Sequence, residues 1–395
     1  MKVLAIDDQQ LVLLPLERRL KELGYEVRTA RSVKEGIEAF GDFGPNLVIV
    51  DMNIPDVSGI EMVKFIRLEV QSTIPVMVLS GITDDKLIVE CYELGIDDYM
   101  KKPLSLDEVS ARVKRLIGPG KAPATKVSSA NTIIQKRCVG VVIPCYNEEK
   151  RLLSKEFTDF VDRHSGYHLC FVNDGSRDNT LEVLHELKKG REDYVTVYNC
   201  EKNGGKAEAV RLGMLHMANY SDLDYIGFLD ADLSTDLSDF DDLTKTIETS
   251  NFKIVSGSRI SRMGANITKE SARKIISLTI NFIIRKILGM DFKDTQCGAK
   301  IMDKEIIPIA FNRKFLTRWL FDVEIFMRMR IHYGSTKAQN YICEQPLKRW
   351  IHADGSKLSM KDSIKIVFQL AQIGWNYRIK KNNNTPMLMI ANTLS

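Results

Sequence analysis

The sequence has no CxxC pair. Its seven cysteines, Cys91, Cys138, Cys145, Cys170, Cys200, Cys297 and Cys343, are odd in number and scattered. That spacing excludes a disulfide framework or zinc ribbon and fits a reducing compartment. The chain also lacks a run of about 18 uninterrupted apolar residues, the usual length for crossing a membrane. The nearest approach, Ile275 to Met290, is interrupted by Arg285 and Lys286. Acidic residues arrive as early as Asp7 and Asp8, too soon for a secretory leader. None of the six histidines falls in a recognisable motif, and no compact helix-turn-helix pattern is present. The expectation is a cytoplasmic protein without a nucleic-acid partner.

The chain has 395 residues, enough for two or three domains that each bury a core. Charge divides unevenly along it. Residues 1–117 hold 15 Lys and Arg against 20 Asp and Glu, a net of −5, which leaves +9 on the remainder of a chain whose total is +4. An acidic first part and a basic second part point to different partners.

In the first part, short apolar runs (Val3–Ile6, Val27–Ala30, Leu47–Val50, Pro75–Leu79, Asp98–Met100) alternate with amphipathic stretches from Leu11, Val33, Gly59, Asp84 and Leu106. Repeated β/α units predict an α/β fold, a doubly wound, flavodoxin-like parallel sheet with its chemistry at the carboxyl ends of the strands. Asp7 and Asp8 close the first strand, Asp51 the third and Ser80 the fourth, and Lys102 follows the fifth. Three carboxylates facing a lysine suit Mg²⁺ beside a phosphorylatable carboxylate. Residues 1–118 closely resemble the receiver domain of bacterial response regulators. The resemblance implies that Asp51 accepts a phosphoryl group and that Asp7, Asp8, Asp51 and the backbone of Asn53 hold Mg²⁺. Lys102 would contact the phosphoryl oxygens, with Ser80 and Tyr99 as the switch. A sensor histidine kinase or phosphotransfer protein is the implied partner, and receivers can pair two chains into a homodimer. A receiver used only for docking is the alternative.

Residues 119–136, rich in Gly, Pro, Ser and Ala, read as a semi-flexible tether. A second domain is expected over 137–381, followed by a polar tail, 382–395. Four apolar runs there end in polar loops. They are Val142-Ile-Pro-Cys-Tyr-Asn-Glu-Glu149, Asn173-Asp-Gly-Ser176, the loop Asn203-Gly-Gly-Lys206 after Val195–Asn199, and Asp230-Ala-Asp232. Carboxylates at i and i+2 on one strand end share a sheet edge, and two like charges that close call for a cation. Lys206, beside a helix N-terminus, suits a diphosphate.

These blocks, together with Ser256-Gly-Ser-Arg259, Asp294-Thr-Gln-Cys-Gly-Ala-Lys300 and Arg318-Trp-Leu-Phe-Asp-Val-Glu324, resemble glycosyltransferase family 2 enzymes of the GT-A fold. The similarity is strongest to the dolichyl- and polyprenyl-phosphate glucosyl- and mannosyltransferases. It implies that Pro144, Tyr146, Glu148 and Asp174 line the nucleoside pocket of a UDP- or GDP-sugar. Lys206 would approach the diphosphate, and Asp232 with Asp230 would hold Mg²⁺ or Mn²⁺. Asp294, Gln296 and Glu324 would face sugar or acceptor, and Arg259 and Lys357 would take the phosphate of a polyprenyl-phosphate acceptor. The chain departs from the family where Ala207 follows Lys206 and at Ala299. Trp319 and Phe321 read as core or site with equal weight.

Two stretches, Ile275–Met290 and Lys361–Lys381, are amphipathic with basic faces and suit either a membrane interface or burial against the domain. The combined expectation is a response regulator with an inverting glycosyltransferase output, peripheral at the inner face of the membrane. An enzyme acting on a protein or glycan hydroxyl, with Asp294 or Glu324 as base, and a non-catalytic sugar-nucleotide-binding effector stay as alternatives.

Overall fold

The computed structural model describes residues 1–81, 85–121, 133–259, 266–267, 271–350 and 360–382. In the first part, β1 (Lys2–Ile6), β2 (Glu26–Ala30), β3 (Leu47–Asp51), β4 (Val76–Ser80) and β5 (Asp98–Lys101) form one parallel sheet in the order β2-β1-β3-β4-β5. Between them run α1 (Gln10–Glu22), α2 (Val33–Phe43), α3 (Ile60–Lys64), α4 (Asp85–Glu93) and, after β5, α5 (Leu106–Ile117). β3 and β4 are buried along their whole length, which explains their uninterrupted apolar sequences: a strand covered on both faces does not alternate. Ser32 caps α2 and Ser105 caps α5, each accepting from a backbone amide of the first turn.

The second sheet is larger. Its path is β14-β11-β13-β10-β7-β8-β9, with β6 attached to β7. These strands are β6 (Leu104–Ser105), β7 (Ile133–Cys145), β8 (His164–Asn173), β9 (Val195–Asn199), β10 (Tyr225–Leu229), β11 (Ile254–Ser258), β13 (Ala299–Asp303) and β14 (Ile342–Pro346). The two-residue pieces β12 (Asn266–Ile267) and β15 (Arg349–Trp350) pair separately. β7 to β10 are parallel, and β13 runs antiparallel between β10 and β11. The helices are α6 (Ser154–Arg163), α7 (Thr180–Lys188), α8 (Lys206–Ala218), α9 (Leu237–Glu248), α10 (Ser271–Leu288), α11 (Ile307–Phe311), α12 (Phe321–Tyr333), α13 (Ser335–Asn340) and α14 (Met360–Asn382).

The expected tether is shorter than 119–136. β7 already begins at Ile133, and its first residues pair with Leu104 and Ser105 of the first domain and with His164 and Ser165 of β8. Ile133 and Ile134 have ladders to complete on both sides, so they join the sheet rather than the linker.

The two domains share a core. One continuous buried cluster runs from Val12, Leu16 and Leu20 on α1 and Val109 and Val113 on α5 to Cys170, Met217 and Phe228 of the second domain. At the carboxyl edge of the first sheet, Gln9 after β1 bonds Asp224 just before β10.

α14 buries one part of its amphipathic pattern and exposes another. Leu370, Ile373 and Tyr377 are buried, while Val367, Phe368 and Trp375 face outward. On α10, Ile284 and Leu288 are buried and Phe282 is exposed. Among the described residues no helix is long and apolar enough to cross a membrane.

Candidate active site and receiver pocket

The carboxyl edge of the first sheet collects the residues expected there. Oxygen atoms of Asp7, Asp8 and Asp51 lie within 4.8 Å of one another. The Lys102 ammonium reaches Asp7 at 2.7 Å and Asp51 at 3.6 Å in a nearly dry setting. Burial pushes the Asp51 carboxyl up to about 7, with Lys102 pulling it down and Asp7 and Asp8 raising it further, and burial with Asp7 pushes Asp8 to about 6. Three acids so close cannot all ionise cheaply without a cation. Asp51 Oδ1 is buried with no hydrogen-bond partner among the described residues, which fits a group that a metal or phosphoryl oxygen would complete. Gly59 stands where a Cβ would lie 2.0 Å from the Asp51 carbonyl oxygen, so the backbone after β3 can pass only without a side chain. Tyr99 bonds Ser80, and Asn53 lines the same cavity of about 140 Å³.

The carboxyl edge of the second sheet gathers the other set. Asp230 follows β10, and its backbone amide bonds the Gly298 carbonyl at 3.1 Å. Its carboxylate pairs with Lys206 at the start of α8. Burial alone would lower Lys206, but Asp230 more than offsets this and holds the ammonium above the ordinary lysine value. Asp232 is exposed, and one of its oxygens accepts from the Ser234 amide at 3.0 Å. Glu148, after β7, bonds Arg151 at 2.8 Å, and its pKa is raised by burial with Asp232 among the contributing charges. Tyr146 is exposed beside it and Pro144 half-buried. Buried Glu148 Oε2, Thr295 Oγ1 and Gln296 Nε2 find no partner among the described residues. Unmet polar atoms around a carboxylate pair and a lysine suit a polar, anionic ligand with a divalent ion. Asp230 and Asp232 could hold that ion.

Several expected site residues are engaged otherwise. Both oxygens of Asp174 accept amides, from Gly204 and Gly205 at 2.8 Å each, so it fixes the glycine turn that presents Lys206. Asp294 takes the Arg259 guanidinium at 2.7 Å through both oxygens, and the Arg259 amide at 2.8 Å. Arg259 thus ties the end of β11 to the loop before β13. Glu324 is fully buried. It accepts from the Leu316 and Thr317 amides, the Thr317 hydroxyl and the Tyr377 hydroxyl, all between 3.0 and 3.2 Å. Those donors use it to hold the 316–317 turn and α14. Phe321 is core, whereas Trp319 is 71% exposed. Lys357 lies outside the described residues, as do the tail from 383 and linker residues 122–132.

Two charged residues were missed. Lys300 is fully buried in β13, bonds Asp322 at 2.7 Å and the Cys297 carbonyl at 2.6 Å, and lies over the Phe228 ring. Burial raises Asp322 against the pull of Lys300 and Lys206. Lys206 and Asp230 are near enough to act on Asp322, so the Lys300–Asp322 pair adjoins the Lys206–Asp230 pair. The available signal was a lysine inside the apolar strand Ala299-Lys-Ile-Met302, a position lysine rarely takes unpaired.

Two family profiles match the chain. A response regulator receiver domain covers residues 3–114, and glycosyl transferase family 2 covers residues 140–308. A dolichyl-phosphate beta-glucosyltransferase of Trichomonas vaginalis is 31% identical over 255 residues, which cover 61% of this chain and 74% of that protein. The chain belongs to glycosyl transferase family 2. It is a glycosyltransferase with a receiver domain at its N-terminus. A second dolichyl-phosphate beta-glucosyltransferase of Trichomonas vaginalis is 30% identical over 279 residues, 67% of this chain and 81% of the relative. On the receiver side, the cell cycle transcriptional regulator CtrA of Caulobacter vibrioides is 33% identical over 134 residues, 34% of this chain and 58% of that protein. The flavodoxin-like and GT-A-like α/β folds expected from the motifs are both present.

Proposed function

We propose that this glycosyltransferase moves a sugar from a nucleoside diphosphate sugar to a polyprenyl phosphate, and that phosphorylation of Asp51 controls it. In the transfer, an acceptor phosphate oxygen attacks the anomeric carbon, the bond from that carbon to the diphosphate breaks, and the nucleoside diphosphate leaves with inverted configuration at the sugar. A divalent cation on Asp230 and Asp232 would offset the charge gathering on the departing diphosphate. Lys206 is placed to add a second positive charge once it exchanges Asp230 for phosphate oxygen. Asp174 keeps the Gly204–Gly205 turn in place so that this lysine stays at the mouth of α8.

One observation supports the choice of acceptor: both expected bases are held by donors of their own chain. Glu324 is enclosed by four donors and Asp294 is taken by Arg259. A sugar or protein hydroxyl needs a base to remove its proton, whereas a lipid phosphate arrives as an anion. The named function of the dolichyl-phosphate relatives points the same way and favours glucose. Exposed Phe282, Phe368 and Trp375 on α10 and α14 offer aromatic side chains for the headgroup region of a bilayer.

The test is transfer of label from UDP-glucose or GDP-mannose to polyprenyl phosphate, with product counted after extraction into organic solvent. Extractable, Mg²⁺- or Mn²⁺-dependent label that disappears in Asp232→Asn supports the reading. Label found only in water-soluble product refutes the lipid acceptor.

A further inference from the structure

The cavity that contains Asp51 is not built by the receiver alone. Its lining includes Asp8, Asp51, Asn53 and Lys102, and also Arg137 and Asp224 of the glycosyltransferase domain. We propose that the phosphoryl site is shared between the domains, with Arg137 as a phosphoryl-binding residue and Asp224 as its resting partner. This rests on the reading of Asp51 as the phosphoryl acceptor.

The contacts at this wall are specific. Gln9 joins the domains through both its parts: its backbone amide bonds Asp7 Oδ1 at 3.0 Å, and its side-chain amide bonds Asp224 Oδ2 at 2.7 Å. The Gln10 amide bonds Asp222 at 3.3 Å, and Arg31 pairs with the same carboxylate. The Asp224 carboxylate also accepts from the Cys138 amide at 2.9 Å, so it is anchored to its own sheet. Arg137 meets Asp224 at 3.2 Å with 42% of its side chain exposed. An ion pair so open to water is weakly held.

The charges decide which partner Arg137 takes. Without a phosphoryl group, the pocket holds Asp7, Asp8, Asp51 and Lys102, and Asp224 is near enough to contribute to the raised pKa of Asp8. A phosphoryl group on Asp51 brings nearly two negative charges and three strong acceptor oxygens. A guanidinium binds such a group through paired hydrogen bonds and prefers it to a single half-wet carboxylate. Arg137 already lines the cavity that holds Asp51.

The consequence reaches the catalytic edge. Asp224 stands immediately before β10, whose other end carries Asp230. The Lys304 amide, at the end of the neighbouring strand β13, bonds the Asp224 carbonyl at 3.0 Å. That strand begins beside Gly298, which approaches Asp230. Releasing Arg137 from Asp224 therefore alters one end of the two strands whose opposite ends position Asp230.

The experiment is titration of the full chain with beryllofluoride and Mg²⁺, followed by calorimetry, with Asp51→Ala as the blank. The expected result is that Arg137→Ala weakens beryllofluoride binding about tenfold or more, the worth of one charge-assisted hydrogen bond. Arg137→Lys should recover part of the loss. Equal affinity in wild type and Arg137→Ala overturns the shared site while leaving Asp51 as acceptor. Absence of binding to wild type overturns both.

Discussion

Gly298→Ala is the most discriminating substitution in the catalytic half. A Cβ at this position would stand 2.0 Å from Asp230 Oδ2 and 2.3 Å from its carboxyl carbon. Ordinary contacts of this kind lie at about 3.5 Å or more, so one partner must move by more than about 1 Å. The Asp230 carboxylate is at the surface of the cleft and gives way more readily than the buried β13, where the fully buried Ala299 and Lys300 follow. Its displacement breaks the pairing with Lys206 and removes one carboxylate from the cation site. A reacting group misplaced by about 1 Å costs on the order of 10²-fold in rate, while overpacking costs about 1–3 kcal/mol of stability. The assay is sugar-nucleotide turnover against metal concentration, with circular dichroism to confirm folding. The expectation is a folded protein with about 100-fold lower kcat/KM and weaker metal dependence. Gly41→Ala, where the added carbon meets nothing within 4 Å, serves as the neutral control. Wild-type turnover in Gly298→Ala would refute the placement of Asp230 in the reaction.

Three further outcomes follow from the same geometry. Removing one partner of the buried Lys300–Asp322 pair, as in Lys300→Met, should cost about 3–5 kcal/mol in chemical denaturation, and Lys300→Met with Asp322→Leu should recover much of it. Glu324→Gln should lower stability by about 1–3 kcal/mol with kcat unchanged, because an amide cannot accept from all four donors; a large fall in kcat at unchanged Tm would instead identify a catalytic base. In metal-free buffer the raised carboxyl of Asp51 keeps its proton to about pH 7, whereas the unfolded chain releases it near pH 4. Stability should therefore fall as pH rises from about 4 to about 7 and then level off. Asp51→Asn should flatten that slope and raise Tm at pH 8, which thermal melts across pH would read directly.

The receiver was legible because its signals are local. Buried parallel strands are written as unbroken apolar runs, and each leads into a polar residue at the carboxyl edge: Asp7, Asp51 or Ser80. The placing of Asp230 and Asp232 at the end of a buried strand was legible for the same reason, as were Lys206 and the loop before it. Roles that depend on long-range partners were not. Asp294 and Arg259 lie 35 residues apart and satisfy each other. Glu324 answers donors from a turn and from Tyr377, 53 residues on. Asp222 and Asp224 read as an ordinary turn before a strand until Gln9, more than 200 residues away, is seen to bond both of them. Ile133 and Ile134 looked like the end of a tether because their pairing partners, Leu104 and Ser105, form a strand of only two residues. Lys300 had a signal, an interior lysine in an apolar strand, but the charge that accounts for it, Asp322, comes from a different element.

Control of the glycosyltransferase by its receiver is read most directly from one rate. The full chain is given a nucleoside diphosphate sugar and polyprenyl phosphate with Mg²⁺, and the initial rate of lipid-linked sugar formation is measured with and without beryllofluoride. The prediction is a several-fold change in rate that is absent in Asp51→Asn. Identical rates in the presence and absence of bound beryllofluoride would contradict control of the glycosyltransferase by its receiver.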